Sequence, residues 1–257
     1  MRAVPGAAAL SLTDRTAFVT GAAQGLGQAI ARCLAEGAHG WCWPISTPVT
    51  FKVPPRRRAA PAMRRLHCRW TFATRRASLP PSPALACWGW VDVIVNNAAR
   101  GSSRSLWEVT AQEWDEVLAV NLLGSVFDCR IAGQHMRERR QGGRIINLSS
   151  IAAQQASAAS GAHYAASKAG ILALTRSFAA ELAPDGVTVN AVAPSAIRGP
   201  ALQELDDEQR ERLLAATPLA RIGEAYEVAA AVVFLAGAGA GYITGATLDI
   251  NGGRLMR

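Results

Sequence analysis

Tyr164-Ala165-Ala166-Ser167-Lys168 sets a phenol and an ammonium four residues apart, which on a helix is about one turn and one face. A phenol with a pKa near 10 exchanges protons poorly at neutral pH. A neighbouring cation favours the phenolate and lowers that value, each unit being worth about 1.36 kcal/mol. Ser149-Ser150 closes an apolar run, and a hydroxyl at the carboxyl end of a strand faces the crevice in which open α/β sheets hold ligands. Thr20-Gly21-Ala22-Ala23-Gln24-Gly25-Leu26-Gly27 lies between a strand-like and a helix-like stretch. Glycines there let the backbone turn tightly and bring a pyrophosphate to the N–H groups at the positive end of a helix. Taken singly, each feature has a plain structural reading: two half-exposed residues on a solvated helix, a strand-end cap, glycines kept for packing. Together they point to acid–base chemistry beside a bound nucleotide.

These groups need elements to hold them, and the periodicity supplies them. Residues 16–20 form a short strand and 28–36 a helix, followed by strands at 91–95, 144–148, 187–192 and 246–250. Helical spacing covers 107–139 with a break near Gly124, then 164–182 and 224–236. Strands alternating with helices of this length predict βαβ units, and so a Rossmann-like, doubly wound parallel sheet in a single domain. A polar helix-prone stretch at 205–214, inside the loop 195–217, fits a cover over the substrate.

The 257 residues are 50% hydrophobic and 18% charged, enough apolar material for one α/β core and too much for wholesale disorder. A net charge of +8 would suggest an acidic partner, yet residues 41–90 hold nine Lys/Arg and no Asp or Glu, leaving 18 bases against 19 acids elsewhere. The five cysteines form no C-x-x-C or Cys/His ligand spacing, so neither a disulfide framework nor a metal site is expected, and a reducing cytoplasm is the default. No apolar run approaches the roughly 18 residues of a transmembrane helix, and residues 1–12 are expected to be an N-terminal tail.

The ordered motifs resemble those of the classical short-chain dehydrogenase/reductase family: TGAAQGLG at 20–27, VDVIVNNAA at 91–99, VNLLG at 120–124, GRIINLSS at 143–150, YAASK at 164–168, VNAVAPSAI at 189–197 and YITGATLDINGG at 242–253. The resemblance implies a catalytic tetrad of Asn121, Ser150, Tyr164 and Lys168. Tyr164 would exchange a proton with the substrate oxygen while hydride passes between the substrate carbon and a nicotinamide. Lys168 would hold the nicotinamide ribose and lower the tyrosine pKa, Ser150 would bond the substrate oxygen, and Asn121 would hold a water for proton relay. The implied cofactor residues are Gly21, Gln24, Gly25, Leu26, Gly27, Asn97, Ala98, Tyr164, Lys168, Pro194 and Ile197, with NAD or NADP as cofactor. The implied partners are a small alcohol or ketone and further copies of the chain, as a homotetramer or homodimer, with no membrane and no nucleic acid. The chain departs from the family pattern at Ala99, Ala153, Ser195 and Gly199, and by one extra residue between Ser150 and Tyr164.

Residues 41–84 fit none of this. Eight of the thirteen prolines and five of the seven tryptophans fall within 41–90, and prolines there interrupt any helix or central strand. The family's second and third strands belong in this region, so both are expected to be disrupted. A shifted reading of the codons restores them. Trp41 and Cys42 together spell Val in the next frame, Cys42 and Trp43 spell Leu, and Trp43 and Pro44 spell Ala. Pro44 and Ile45 then give Asp, Asn, His or Tyr, while Trp70 and Thr71 force Asp. The segment is therefore expected to be out-of-frame sequence between two compensating indels, and the acidic residue of the hidden frame leans towards NAD in the parent gene. The rival readings are a non-catalytic chain whose arginine-rich segment binds acidic partners such as nucleic acid, and a damaged enzyme. Resequencing the DNA of codons 38–90 is expected to reveal the two indels; one intact frame with unrelated codons would refute them.

Overall fold

The computed structural model describes residues 12–37, 91–101, 104–156, 160–199, 202 and 206–257. Five apolar runs form strands: β1 (Ala17–Val19), β2 (Val93–Asn96), β3 (Gly143–Leu148), β4 (Val187–Pro194) and β5 (Thr247–Ile250). They pair in the order β1-β2-β3-β4-β5, every pair parallel. Parallel neighbours need long crossovers rather than tight turns. Helices supply them: α1 (Gly25–Gly37) after β1, α2 (Ala111–Leu118) and α3 (Gly124–Arg139) after β2, α4 (Ala162–Leu182) after β3, and α5 (Asp207–Ala215) with α6 (Ala225–Ala236) after β4.

The strand side chains alternate between two cores, as a pleated strand requires. Val93, Val95, Ile146 and Leu148 join Ile30, Leu34, Val228, Val232 and Leu235 under α1 and α6. Ile94, Ile145 and Val189 join Cys129, Met136, Ala179 and Leu182 under α3 and α4. With both faces covered, β2 and β4 are buried along their whole lengths, which is why they are continuous apolar runs. The sheet is thus the doubly wound Rossmann-like sheet the sequence predicts, and its elements fall within a few residues of their expected positions. Leu12, the last residue of the expected tail, packs in the α1/α6 core. Residues 1–11, the anomalous segment 41–84 and the two strands expected within it lie outside the described residues.

Polar pins cross the apolar interior and fix how α4 lies on the sheet. The Asn96 amide of β2 donates to Asn147 Oδ1 of β3 at 2.8 Å, and the Asn147 amide donates to Thr175 Oγ1 of α4 at 3.0 Å. All three side chains are buried, where losing one partner costs about 1–3 kcal/mol. Asp92 closes the opposite end of the sheet. Its carboxylate accepts from the Thr16 N–H at 2.7 Å and from Arg139 of α3 at 3.0 Å.

The expected break near Gly124 is a π-helical turn, Ala119–Leu123, between α2 and α3. One extra residue per turn displaces the local side chains, a device that recurs at functional sites. It places Asn121, fully buried, against α4. No helix among the described residues is long and apolar enough to cross a membrane, and no group of three or more His, Cys, Asp or Glu among them could hold a metal ion.

Candidate active site

Parallel register brings the carboxyl ends of the strands to one edge: Val19 stands beside Val95, Asn96 beside Asn147, Leu148 beside Val192 and Pro194 beside Ile250. The strand-borne motif segments leave the sheet at this edge, the crevice in which open α/β sheets bind ligands.

The β1–α1 turn is shaped by close approach. Gly21 has φ +66°, and a Cβ there would stand 2.9 Å from Ala98 Cα. A Cβ on Gly27 would overlap both the Gly21 carbonyl and the Asn97 amide. The turn is tied to the end of β2 by Thr20, whose Oγ1 accepts from the N–H groups of Asn97 at 2.9 Å and Ala98 at 3.0 Å. In return the Asn97 side-chain amide donates to the Thr20 carbonyl at 2.9 Å and the Gly21 carbonyl at 3.3 Å. Gln24, Gly25, Leu26 and Gly27 therefore sit in a tight turn at the positive end of a 13-residue helix, a cradle that fits a dinucleotide pyrophosphate. Asn97 and Ala98, expected as cofactor contacts, also hold that cradle in shape through these bonds.

On the other side of the crevice α4 carries Tyr164 and Lys168, with Ser150 at the end of β3 and Asn121 in the π-turn beside them. Lys168 is almost wholly buried, and its Nζ donates to the Leu148 carbonyl at the end of β3 at 2.6 Å. Its own carbonyl accepts from Ser149 Oγ at 2.9 Å. Lys168 is therefore gripped through side chain and main chain by two consecutive residues of the strand end. The ammonium stands 5.6 Å from the centroid of the Tyr164 ring, within cation–π range. Ser150 caps a short helical turn, accepting from the Ala152 N–H at 3.1 Å, and its hydroxyl is near enough to the Tyr164 phenol to favour the phenolate.

Burial sets the electrostatics. It pushes the Lys168 ammonium down from 10.5 to about 8 and pushes the Tyr164 phenol above its ordinary value, with the Ser150 hydrogen bond pulling part of the way back. Desolvation is the larger of the two influences on the phenol, and Ser150 is the group that favours the phenolate.

Asn121, expected to hold a water for proton relay, has its side chain engaged by protein. Its Oδ1 accepts from the Arg100 N–H at 2.7 Å, while its amide donates to the Arg100 carbonyl at 3.1 Å and to Ser167 Oγ at 3.0 Å. Both amide protons are thus taken by protein, and its main-chain carbonyl accepts from Ser125 Oγ at 2.8 Å. Pro194 ends β4, and Ile197 pairs with Gly223 beyond it. A cavity of about 310 Å³ opens at the ends of β4 and β5, lined by Ser195, Ile197, Thr217, Arg221, Asp249 and Asn251 among others. It adjoins the expected cofactor segment but includes none of the tetrad. Ser167 and Arg100 carry no role in the motif pattern. A serine three residues beyond the tyrosine, in reach of the tyrosine carbonyl, was the available signal.

Residues 21–254 match a family profile described as enoyl-(acyl carrier protein) reductase. The chain is 36% identical over 251 residues to the 3-oxoacyl-(acyl-carrier-protein) reductase FabG of Staphylococcus aureus, spanning 94% of this chain and 98% of that one. Its fold is similar to a solved structure described as a 2-deoxy-D-gluconate 3-dehydrogenase of Agrobacterium tumefaciens with bound NADP, at 28% identity and TM-score 0.76 over 97% of this chain and 99% of that one. It is also similar to the 3-oxoacyl-(acyl-carrier protein) reductase of Brucella melitensis, at 26% identity and TM-score 0.73 over 100% and 98% of the two chains.

The lysine shift has a stability consequence. Between about pH 8 and 10.5 the unfolded chain keeps a proton that folded Lys168 has released, so stability rises with pH across that window. The unfolding free energy of the wild type minus that of Lys168→Met should therefore climb from about pH 8 to pH 10 in denaturant titrations. A flat difference would contradict the burial of the ammonium.

Proposed function

Because the chain belongs to the classical short-chain dehydrogenase/reductase family of oxidoreductases, we propose that it interconverts a secondary alcohol and a ketone with NAD or NADP, Tyr164 acting as the acid/base. The observation that carries this reading is the convergence of Tyr164, Ser150 and Lys168 at the sheet edge that also holds the glycine cradle.

Gly21, Gln24, Gly25, Leu26 and Gly27 would hold the dinucleotide pyrophosphate, with Pro194, Ile197, Tyr164 and Lys168 towards the nicotinamide. The nicotinamide supplies or accepts the hydride at the substrate carbon. The residues of the chain handle the proton. In the reducing direction the Tyr164 phenol gives its proton to the nascent alkoxide, and the Ser150 hydroxyl bonds both that oxygen and the phenolate left behind. In the oxidising direction the phenolate takes the proton back from the alcohol. Burial keeps the proton on the Tyr164 phenol, the form that donates to a ketone oxygen in the reducing direction. Asn121 supports the relay through its backbone, since its side-chain amide is occupied.

The curated relative is named for a 3-oxoacyl chain and the solved one for a sugar acid, which supports a ketone within a longer acyl or hydroxy-acid substrate. The lean towards NAD rests on a hidden reading frame and on residues outside those described, and the Agrobacterium relative, which holds NADP, gives it no support. The exposed α5, with Leu213 its buried contact, suits a cover over the substrate. Phe234, Tyr242 and Leu248 are exposed on and around α6 and β5, and with β5 at the sheet edge they support assembly as a homodimer or homotetramer.

Tyr164→Phe should lower turnover of ketone substrates by about 10²–10⁴-fold, the range for loss of a general acid. Dinucleotide binding, followed by cofactor fluorescence, should stay near wild type. Undiminished turnover in this variant would overturn the reading.

A further inference from the structure

Ser167 sits between the two parts of the site and belongs to neither the glycine cradle nor the tetrad. It is fully buried in α4, three residues after Tyr164 and one before Lys168. Its hydroxyl donates to the Tyr164 carbonyl at 2.7 Å and accepts from the Asn121 amide at 3.0 Å. One oxygen thus joins the turn of α4 that carries Tyr164 to the π-turn that carries Asn121.

Alternatives for Asn121 are few. Its amide has two protons, one on the Arg100 carbonyl and one on Ser167, and its oxygen takes the Arg100 N–H. In a site with no exposure, removing the Ser167 hydroxyl leaves an amide proton without a partner, a state that costs more than the bond itself contributes. Rotating the amide to recover a partner would give up the Arg100 bonds, which set the π-turn against the end of β2. The Tyr164 carbonyl, as part of a helix, has a backbone donor as its ordinary partner, so loss of the hydroxyl bears mainly on Asn121. An alanine would fill nearly the same volume, so packing alone does not call for a hydroxyl here.

We infer that Ser167 is a positioning residue for catalysis, holding the Asn121 π-turn in register with the Tyr164–Lys168 turn. This rests on the reading of Tyr164 as the proton-exchanging group, and the test separates the two.

Turnover, dinucleotide binding and the unfolding midpoint are compared in Ser167→Ala, Asn121→Ala, the double variant and Tyr164→Phe. Ser167→Ala should lose about tenfold in kcat, with the dinucleotide dissociation constant within about twofold of wild type. In the Asn121→Ala background the same change should have no further effect, because the two act as one unit. Ser167→Thr, which restores the hydroxyl, should recover most of the loss. If Ser167→Ala does not fold, Ser167→Cys, close in size and a weaker donor, takes its place in the cycle. Multiplying losses in the double variant, or unchanged kcat in Ser167→Ala while Tyr164→Phe is inactive, would overturn the inference alone. Full activity in Tyr164→Phe would overturn the parent reading.

Discussion

A buried ammonium that donates to the last carbonyl of a central strand determines where the rest of the site stands. Lys168 has almost no exposure, and its Nζ lies 2.6 Å from the Leu148 oxygen. Taking such a charge out of water costs several kcal/mol unless it is partnered, and burial accordingly brings its pKa to about 8. The bond fixes the height of α4 above β3, and the Ser149 hydroxyl on the Lys168 carbonyl fixes its rotation. One turn earlier in α4, Tyr164 is then delivered to Ser150. The Asn147–Thr175 bond repeats the arrangement two turns later, so that α4 is pinned to β3 along its length.

The same burial shifts both groups of the site towards their neutral forms. The phenol is raised and the ammonium lowered, both by desolvation, and no carboxylate among the described residues pairs with Lys168. A charge introduced beside them is therefore felt more strongly than it would be in water. The hydroxyls of Ser149, Ser150 and Ser167 supply fixed dipoles without adding a formal charge. The glycine cradle across the crevice is built on the same economy, its shape held by Thr20 and Asn97 through backbone groups.

Much of this was legible in the sequence because strand and helix periodicity survives in every described element. The one-turn spacing of Tyr164 and Lys168, the Ser149-Ser150 strand end and the glycine turn all appear where the motifs place them. Spacing gives a face but not a depth: the cation beside Tyr164 is visible in the sequence, the desolvation that raises its phenol is not. The use of Asn97 and Asn121 as structural clamps is hidden for a similar reason, since most of their partners are backbone groups of residues 20, 21 and 100, invisible to any side-chain pattern. A π-turn adds one residue to an otherwise helical period and leaves only a blurred break near Gly124. Ser167 escaped because a serine inside a helix looks the same whether it faces water or links two turns.

The most direct test follows the proton itself. The chain has three tyrosines, so phenolate absorbance against pH, compared between the wild type and Tyr164→Phe, isolates the Tyr164 transition. If Tyr164 is the buried acid of a hydride-transferring site, the phenol absent from the variant titrates above the ordinary value near 10, and saturating NADP moves that transition to lower pH. A Tyr164 phenol that titrates at the ordinary value and does not respond to the dinucleotide would contradict it.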